Sequence, residues 1–325
     1  MSIDVHTHVV PAGMPFGVGD SDDRWPTLLE GERTGDVLVA GKIYRTVGRT
    51  AWDLAVRAEQ MSERGSTAQV LSPMPHLFSY WASLAPALEF SRGINEWLAA
   101  AVRDYPGVYY GLGTVPLQDP QAAAAELTQI KALGLSGVEL GTNVNGVSIA
   151  DRRFAEVLHE ADRLGLAVFL HAFQPPLAPV VAGPAGSAVC FPLDIAFAVA
   201  GLIANGILDD LPGLRLCAGH GGGGLAMTLP RLTHTWHNKP AMQERLVTAP
   251  EVAAGRLFYD ILVFDPAALR YLIDFVGPTQ ILVGSDYPFL KIAPEWPLTE
   301  VALDAQLLHQ IRSTNARRFL GLHPA

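Results

Sequence analysis

The stretch Ile3-Asp4-Val5-His6-Thr7-His8 is a short β-rich run that ends in two histidines. Three later apolar runs, at residues 166–170, 216–219 and 281–285, are likewise followed at once by a polar side chain: His171, His220 and Asp286. Short apolar runs of this kind, rich in β-branched residues, predict buried strands. The sequence therefore predicts a set of strands that carry polar groups at their C-terminal ends.

Eight strands are predicted in all, at residues 3–8, 68–72, 108–114, 137–140, 167–171, 214–218, 257–261 and 280–284. Most are separated by stretches with helical periodicity, for example 121–133 and 152–164. Strands that alternate with helices pair in parallel through crossover helices. Eight such units predict an α/β fold, a (β/α)8 TIM barrel. We expect one domain over residues 1–325, because the sequence shows no internal repeat and no low-complexity linker.

One segment, residues 11–47, does not fit the alternation, because it is rich in Gly, Pro and Asp. Within it, Asp36-Val37-Leu38-Val39 and Lys42-Ile43-Tyr44-Arg45 flank Ala40-Gly41, a plausible hairpin turn. We interpret the segment as an insertion after the first strand. It is expected to lie over the C-terminal mouth of the barrel, where active sites of this fold are found.

The composition indicates which kinds of binding partner and cellular location to expect. A hydrophobic fraction of 49% with 17% charged residues is typical of a packed globular core, and the net charge of −9 disfavours nucleic acid. Two cysteines are too few for a secreted disulfide framework. The N-terminus lacks the features of a signal peptide, and the longest apolar stretch, residues 193–208, is shorter than a membrane span. We expect a cytoplasmic protein with that stretch as a buried helix and no membrane partner.

The polar residues at the strand ends are the candidate site. Alternation along a strand predicts that Asp4, His6 and His8 share one face. In a barrel the C-terminal ends of all strands meet at one mouth, so His171, His220 and Asp286 are expected to lie beside that pair. Several imidazoles beside a carboxylate suit a divalent ion such as Zn²⁺.

Several motifs together resemble the amidohydrolase-2 family of the amidohydrolase superfamily, and within it the aminocarboxymuconate-semialdehyde decarboxylases. They are Asp4-Val5-His6-Thr7-His8, Gly219-His220-Gly221-Gly222 and Gly284-Ser285-Asp286-Tyr287-Pro288, with a histidine ending strand five. The resemblance runs from residue 3 to about residue 320. It also covers Ala51-Trp52-Asp53 and Val115-Pro116-Leu117-Gln118-Asp119.

That resemblance implies roles for individual residues. His6, His8, His171 and Asp286 would ligate one divalent ion, most simply Zn²⁺, with Mn²⁺ or Fe²⁺ as alternatives, and Asp286 and His220 would be catalytic. His220 would exchange the proton. Arg45 is placed like an arginine that binds a substrate carboxylate. Arg231 is placed like one that reaches into a neighbouring subunit, which implies a homodimer. The substrate would be a small carboxylic acid.

The predicted fourth strand, Ser136-Gly137-Val138-Glu139-Leu140, lacks the lysine that is carboxylated in binuclear members of the superfamily. Its absence favours a mononuclear site, with Glu139 as an alternative ligand. His76, in Pro73-Met74-Pro75-His76, follows the second strand and is a candidate to line the pocket. The chain departs from the decarboxylases after His171, where Ala172-Phe173-Gln174 stands in place of Pro-Trp.

The leading hypothesis is a metal-dependent, non-oxidative decarboxylase of an unsaturated or aromatic acid. The alternatives are a metal-dependent hydrolase of a lactone or amide, a hydratase, and a metal-binding scaffold without catalysis. The run Gly219-His220-Gly221-Gly222-Gly223-Gly224 formally matches G-x-G-x-x-G, but a dinucleotide fold also needs an acidic residue closing a strand about 20 residues further on. Here the helical segment Arg231-Leu232-Thr233-His234-Thr235-Trp236 follows instead. We interpret these glycines as a tight turn beside the metal.

Overall fold

Buried strands alternate with amphipathic helices along the computed structural model, which describes residues 2–18, 24–64, 66–176, 178–181, 183, 185–290 and 292–322. The described strands are β1 (Ile3–Val9), β2 (Thr27–Leu29), β3 (Thr34–Val39), β4 (Lys42–Gly48), β5 (Ala68–Pro73), β6 (Tyr109–Gly113), β7 (Gly137–Gly141), β8 (Asn143–Val144), β9 (Val147–Ser148), β10 (Ala167–His171), β11 (Arg215–Ala218), β12 (Phe258–Asp260) and β13 (Ile281–Leu282). The described α-helices are α1 (Leu54–Glu63), α2 (Leu84–Asp104), α3 (Pro120–Ala132), α4 (Ala155–Leu164), α5 (Ala185–Ala204), α6 (Leu225–Asn238), α7 (Pro240–Arg245), α8 (Pro250–Ala254), α9 (Pro266–Val276), α10 (Ala305–His309) and α11 (Asn315–Leu320).

Eight of these strands form one parallel sheet in the order β1-β5-β6-β7-β10-β11-β12-β13. The two ends of the sheet meet, because Val5 N donates to Val283 O (2.8 Å) and His8 N donates to Tyr287 O (2.7 Å). The predicted (β/α)8 barrel is therefore confirmed, and each predicted strand overlaps an observed one. The last strand is shorter than predicted, since Ser285 bonds to the side chain of Asp4 and interrupts the regular backbone pairing with β1.

The first strand departs from simple alternation. The pairing of β1 with β5 shifts register between Asp4 and Thr7, so the strand contains an irregularity. Ile3 and Val5 belong to the inner apolar cluster of the barrel, and His6 packs its ring against Phe169 of that cluster. Asp4 instead bonds to Ser285. The prediction that Asp4 shares one face with both histidines was therefore wrong.

The core has two layers. A small cluster inside the barrel includes Val5, Phe169 and Cys217, and Phe319 of α11 packs against it from below. A larger cluster fills the space between the strands and the surrounding helices. Apolar side chains thus fill the lower barrel, and the polar side chains of the strand ends are left at the upper end.

The segment predicted as an insertion forms a three-stranded antiparallel sheet, β2-β3-β4. Its central hairpin turns at Ala40 and Gly41, both with positive φ, as predicted for this turn. The strand β2 was not predicted. Residues 19–23 of the predicted insertion lie outside the described residues.

Helix α5 is the one helix in the described part of the chain that is long and apolar enough, by length and composition, to cross a membrane. It links β10 to β11 and packs against α6, as a crossover helix of the barrel does. Only 39% of its most apolar stretch is buried. The prediction of a buried helix here was therefore only partly right, since one face of α5 is exposed.

Candidate metal centre

Three imidazoles and one carboxylate meet at the C-terminal end of the barrel. Ligand atoms from His6, His8, His171 and Asp286 all lie within 4.8 Å of one another. The three rings pack edge to face, with centroids 4.9 to 5.1 Å apart. The structure therefore brings together all four residues that the sequence predicted as metal ligands.

The free nitrogen atoms of the site favour a metal ion. The Nε2 atoms of His6, His8, His171 and His220 are buried and have no hydrogen-bond partner among the described residues. Buried polar atoms are nearly always satisfied, so four unsatisfied atoms in one place require an explanation. A divalent ion bound by three neutral imidazoles and a carboxylate provides one, and the residues present fit it.

The opposite nitrogen atoms hold the rings in place. His6 Nδ1 lies 2.7 Å from Asp260 Oδ2, and His171 Nδ1 lies 2.8 Å from the carbonyl of Ala172. An acceptor at Nδ1 keeps the proton there and leaves Nε2 free to bind metal. His8 lacks so close an acceptor: its Nδ1 lies 3.5 Å from Ser72 Oγ.

Asp260 is a functional residue that the sequence analysis missed. Besides binding His6, its carboxylate accepts hydrogen bonds from the backbone N–H groups of His220 (3.0 Å) and Gly221 (2.7 Å). It therefore couples the ring of one metal ligand to the loop that carries the candidate acid/base. A carboxylate at the end of the apolar run Leu257-Phe258-Tyr259-Asp260 was the signal, the same one that identified Asp286.

Asp286 is held at the mouth by a turn after β13. Its φ of +57° is in the left-handed region, and its N–H donates to His6 O (2.8 Å). Oδ1 lies 3.2 Å from His8 Nε2. Burial alone would raise the pKa of Asp286, but the His8 and His6 imidazoles outweigh it and hold that pKa below its ordinary value. The carboxylate is thus ionised and available as a ligand.

His220 lies beside the ligand group. Its ring centroid is 5.1 Å from that of His6 and 5.0 Å from that of His171, and its φ is +53°. Burial, together with the neighbouring His6, lowers the pKa of His220 to about 4. The ring is therefore neutral at pH 7 and can accept a proton at Nε2.

Aromatic side chains and one arginine surround the mouth. Phe289 stacks on His8 (centroids 5.4 Å), and Arg45 from β4 places its Cζ 4.3 Å from the Phe289 ring centroid. The His76 ring packs at a tilt of 32° against Tyr44 of the strand that carries Arg45 (centroids 3.8 Å), and it lies 6.3 Å from the Phe173 ring. The insertion therefore reaches the mouth as predicted, through two consecutive residues, Tyr44 and Arg45.

Arg231 lies elsewhere on the molecule, exposed on α6. The glycine run before α6 forms a tight turn, with positive φ at Gly221, Gly222 and Gly223. A Cβ on Gly223 would lie 1.8 Å from the carbonyl oxygen of Pro192 in α5. These glycines therefore allow a close approach of the turn to α5, in agreement with the tight turn predicted for them.

Comparison with known proteins identifies a family that matches this chain and two relatives that are decarboxylases. An amidohydrolase family model matches residues 3–322. The 2-amino-3-carboxymuconate-6-semialdehyde decarboxylase of Dictyostelium discoideum is 30% identical, over 100% of this chain and 92% of that protein. A gamma-resorcylate decarboxylase of Rhodococcus jostii is 27% identical, over 74% of this chain and 79% of that protein.

Solved structures share the fold. A dihydroxybenzoic acid decarboxylase from Polaromonas sp. JS666, crystallised with manganese and the inhibitor 2-nitroresorcinol, superposes with a TM-score of 0.77. The two chains are 19% identical, and the match covers 100% of this chain and 98% of the other. At this level of identity the likeness concerns the barrel itself.

Proposed function

This chain belongs to the amidohydrolase family, and from that membership we propose that it is a metal-dependent, non-oxidative decarboxylase of an unsaturated or aromatic carboxylic acid. The observation that carries the proposal is the convergence of His6, His8, His171 and Asp286, with His220 alongside, at the mouth of the barrel. The relatives that match over most of the chain are decarboxylases.

The donor set suits Zn²⁺, and the manganese in the Polaromonas relative makes Mn²⁺ the alternative. When bound, a divalent ion would supply Lewis-acid stabilisation of the negative charge that develops on the substrate. The residues His6, His8, His171 and Asp286 would hold it, and Asp260 would fix the orientation of the His6 ring.

His220 moves the proton. In decarboxylation the bond between the substrate carbon and its carboxylate breaks, CO₂ leaves, and the electron pair stays on that carbon. The carbon then takes one proton. The neutral His220 ring takes up one proton from solvent at Nε2 before CO₂ leaves and gives it to this carbon, so that the substrate carboxylate and one proton become CO₂ and the protonated product. Burial of the ring beside the ligands keeps bulk water from competing.

Arg45 binds a carboxylate of the substrate at the mouth. Its guanidinium stacks on Phe289, which in turn stacks on the ligand His8, so the charge lies one aromatic ring away from the metal site. A guanidinium in this place can pair with a carboxylate through two hydrogen bonds. The aromatic side chains Phe289 and Phe191 near the ligands favour a planar, unsaturated substrate.

The active unit is a homodimer in which Arg231 acts in the partner's site. Val189, Leu193 and Phe197 recur every four residues on α5, so they form one exposed apolar stripe. Met227 on the neighbouring α6 is also exposed, and Arg231 lies one turn after it. Phe197 and Met227 are 74% and 73% exposed, and exposed apolar patches of this kind mark protein interfaces.

The test is product analysis with defined metal content. Protein reconstituted with Zn²⁺ or Mn²⁺ is assayed on carboxylated muconates and hydroxybenzoates for CO₂ release, with His220→Gln as the matched variant. We expect CO₂ from the wild type, and metal binding but at least about 100-fold slower turnover from the variant. Uptake of one water without CO₂, on lactones or amides, would identify a hydrolase instead. Metal bound with no turnover on any panel would identify a scaffold.

A further inference from the structure

Glu139 is a buried carboxylate without a partner. It lies on β7, where it pairs in register with Phe169 of β10, two residue pairs before Gly141 and His171. The side chain is fully buried, and neither carboxyl oxygen has a hydrogen-bond partner among the described residues. The nearby Ser72 hydroxyl does not supply one, because it donates to the carbonyl of Thr7 (2.9 Å).

The stability of the fold does not explain why a glutamate stands at position 139. An unpaired buried charge opposes folding, and an apolar side chain of similar volume would be more favourable there. A positive charge close by would remove the penalty. A divalent ion held by His8 would supply such a charge, since Glu139 Oε1 lies 3.7 Å from Nδ1 of that residue.

The side of His8 that Glu139 faces defines its role. His8 directs Nε2 towards Asp286 and the other ligands, whereas Glu139 lies at the opposite nitrogen, Nδ1. The carboxylate is not among the ligand atoms that lie within 4.8 Å of one another. This placement argues against Glu139 as a direct or bridging ligand, the alternative left open by the sequence.

We infer that Glu139 is a positioning residue for His8: it accepts a hydrogen bond from Nδ1–H, so that Nε2 is presented to the metal. It would do for His8 what Asp260 does for His6 at 2.7 Å and the Ala172 carbonyl does for His171 at 2.8 Å. A small rotation of the glutamate closes 3.7 Å to hydrogen-bond distance, roughly 3 Å. The inference rests on the metal centre of the proposed function.

The test compares Glu139→Gln and Glu139→Leu with the wild type in the apo form. Affinity for Co²⁺ is measured by chelator competition, and thermal unfolding is recorded without metal. Because outer carboxylates commonly contribute about 10- to 100-fold to metal affinity, we expect weakening in that range for Glu139→Leu and less for Glu139→Gln, which keeps an acceptor. Without metal, Glu139→Leu should unfold at the same or a higher temperature.

The matched control is Glu126→Gln, a buried glutamate on α3 that pairs with Arg92 and should leave Co²⁺ affinity unchanged. Co²⁺ affinity of Glu139→Leu within twofold of the wild type would overturn the inference. So would two Co²⁺ per wild-type chain and one per Glu139→Leu chain, because Glu139 would then be a ligand of a second ion. A wild type that binds no Co²⁺ would overturn the metal centre itself and this inference with it.

Discussion

Asp260 connects the candidate metal ligand His6 to the loop that carries the candidate acid/base His220. Its carboxylate binds the His6 ring and accepts hydrogen bonds from two N–H groups of that loop. We predict that Asp260→Asn weakens metal affinity and lowers kcat/KM, each by about 10- to 100-fold, because the amide can donate where an acceptor is required. Metal analysis and steady-state kinetics measure the two effects. The control is Asp265→Asn, the same exchange at the N-cap of α9, where the oxygen that accepts from Ala268 N (2.8 Å) is kept and the metal site is not touched. Equal metal content in both variants would contradict the prediction.

His76 makes a prediction about acid stability. Burial, with the charge of Arg45, lowers the pKa of His76 to about 4 from its ordinary 6.5. Between these values the unfolded chain binds more protons at this site, so His76 destabilises the fold as the pH falls through this window. His76→Phe should therefore gain between about 1 and 3 kcal/mol over the wild type on going from pH 7 to pH 4. Urea unfolding of the apo proteins across that range measures it, and parallel curves would refute it.

At the scale of single residues, the metal ligands could be predicted, whereas the positions of Asp260 and Glu139 beside the ligand rings could not. His8, His171, His220 and Asp286 each end a predicted strand, with His6 two residues before His8, and such residues must meet at the mouth of a barrel. Which of them bind the metal was implied by the family resemblance. Glu139 was noticed as a candidate ligand, but which nitrogen of His8 it faces depends on ring orientation. Asp4 was assigned to the wrong face, because the register shift in β1 leaves no signature in an alternating sequence.

Among the elements, the turn that joins β11 to α6 is the most constrained. Gly223 has a φ of +58°, and there is no room for a Cβ on it beside Pro192. Gly224 has a φ of −83°, and a Cβ on it would be 3.9 Å from the nearest atom. We predict that Gly223→Ala costs at least about 2 kcal/mol of stability and disturbs His220. Gly224→Ala, the matched control, should cost about 1 kcal/mol or less. Equal losses in thermal unfolding would show that the turn is not strained.

The barrel strands were predicted well, whereas helix α5 and the irregular strand β2 were not. The eight strands follow from apolar runs, and the turn at Ala40 and Gly41 follows from its glycine. Helix α5 was placed at residues 193–208 although it spans Ala185–Ala204, because residues 185–192, which include Pro192, come before the apolar stretch on which the prediction rests. The strand β2 has three residues in a segment rich in Gly and Pro, too few for any periodic signal.

At the scale of the whole molecule, the exposed apolar stripe of α5 predicts self-association. Phe197→Asp would place a charge in the middle of the proposed interface, so we expect it to shift the protein from dimer to monomer in sedimentation or light scattering. Phe264→Asp is the control, because Phe264 is also exposed but lies in the loop before α9. A monomeric wild type, or a dimeric Phe197→Asp, would remove this face as the interface.

A dimer with Arg231 acting in the partner's site also predicts complementation between two inactive variants. His220→Gln lacks the proton carrier but keeps Arg231, and Arg231→Ala has the reverse defect. When the two are refolded together in equal amounts, half of the dimers are mixed, and each mixed dimer contains one site with both residues. About a quarter of the wild-type activity should return. If Arg231 served its own chain, no intact site would form and the mixture would stay inactive. Arg231→Ala alone with wild-type activity would show that Arg231 has no part in the reaction.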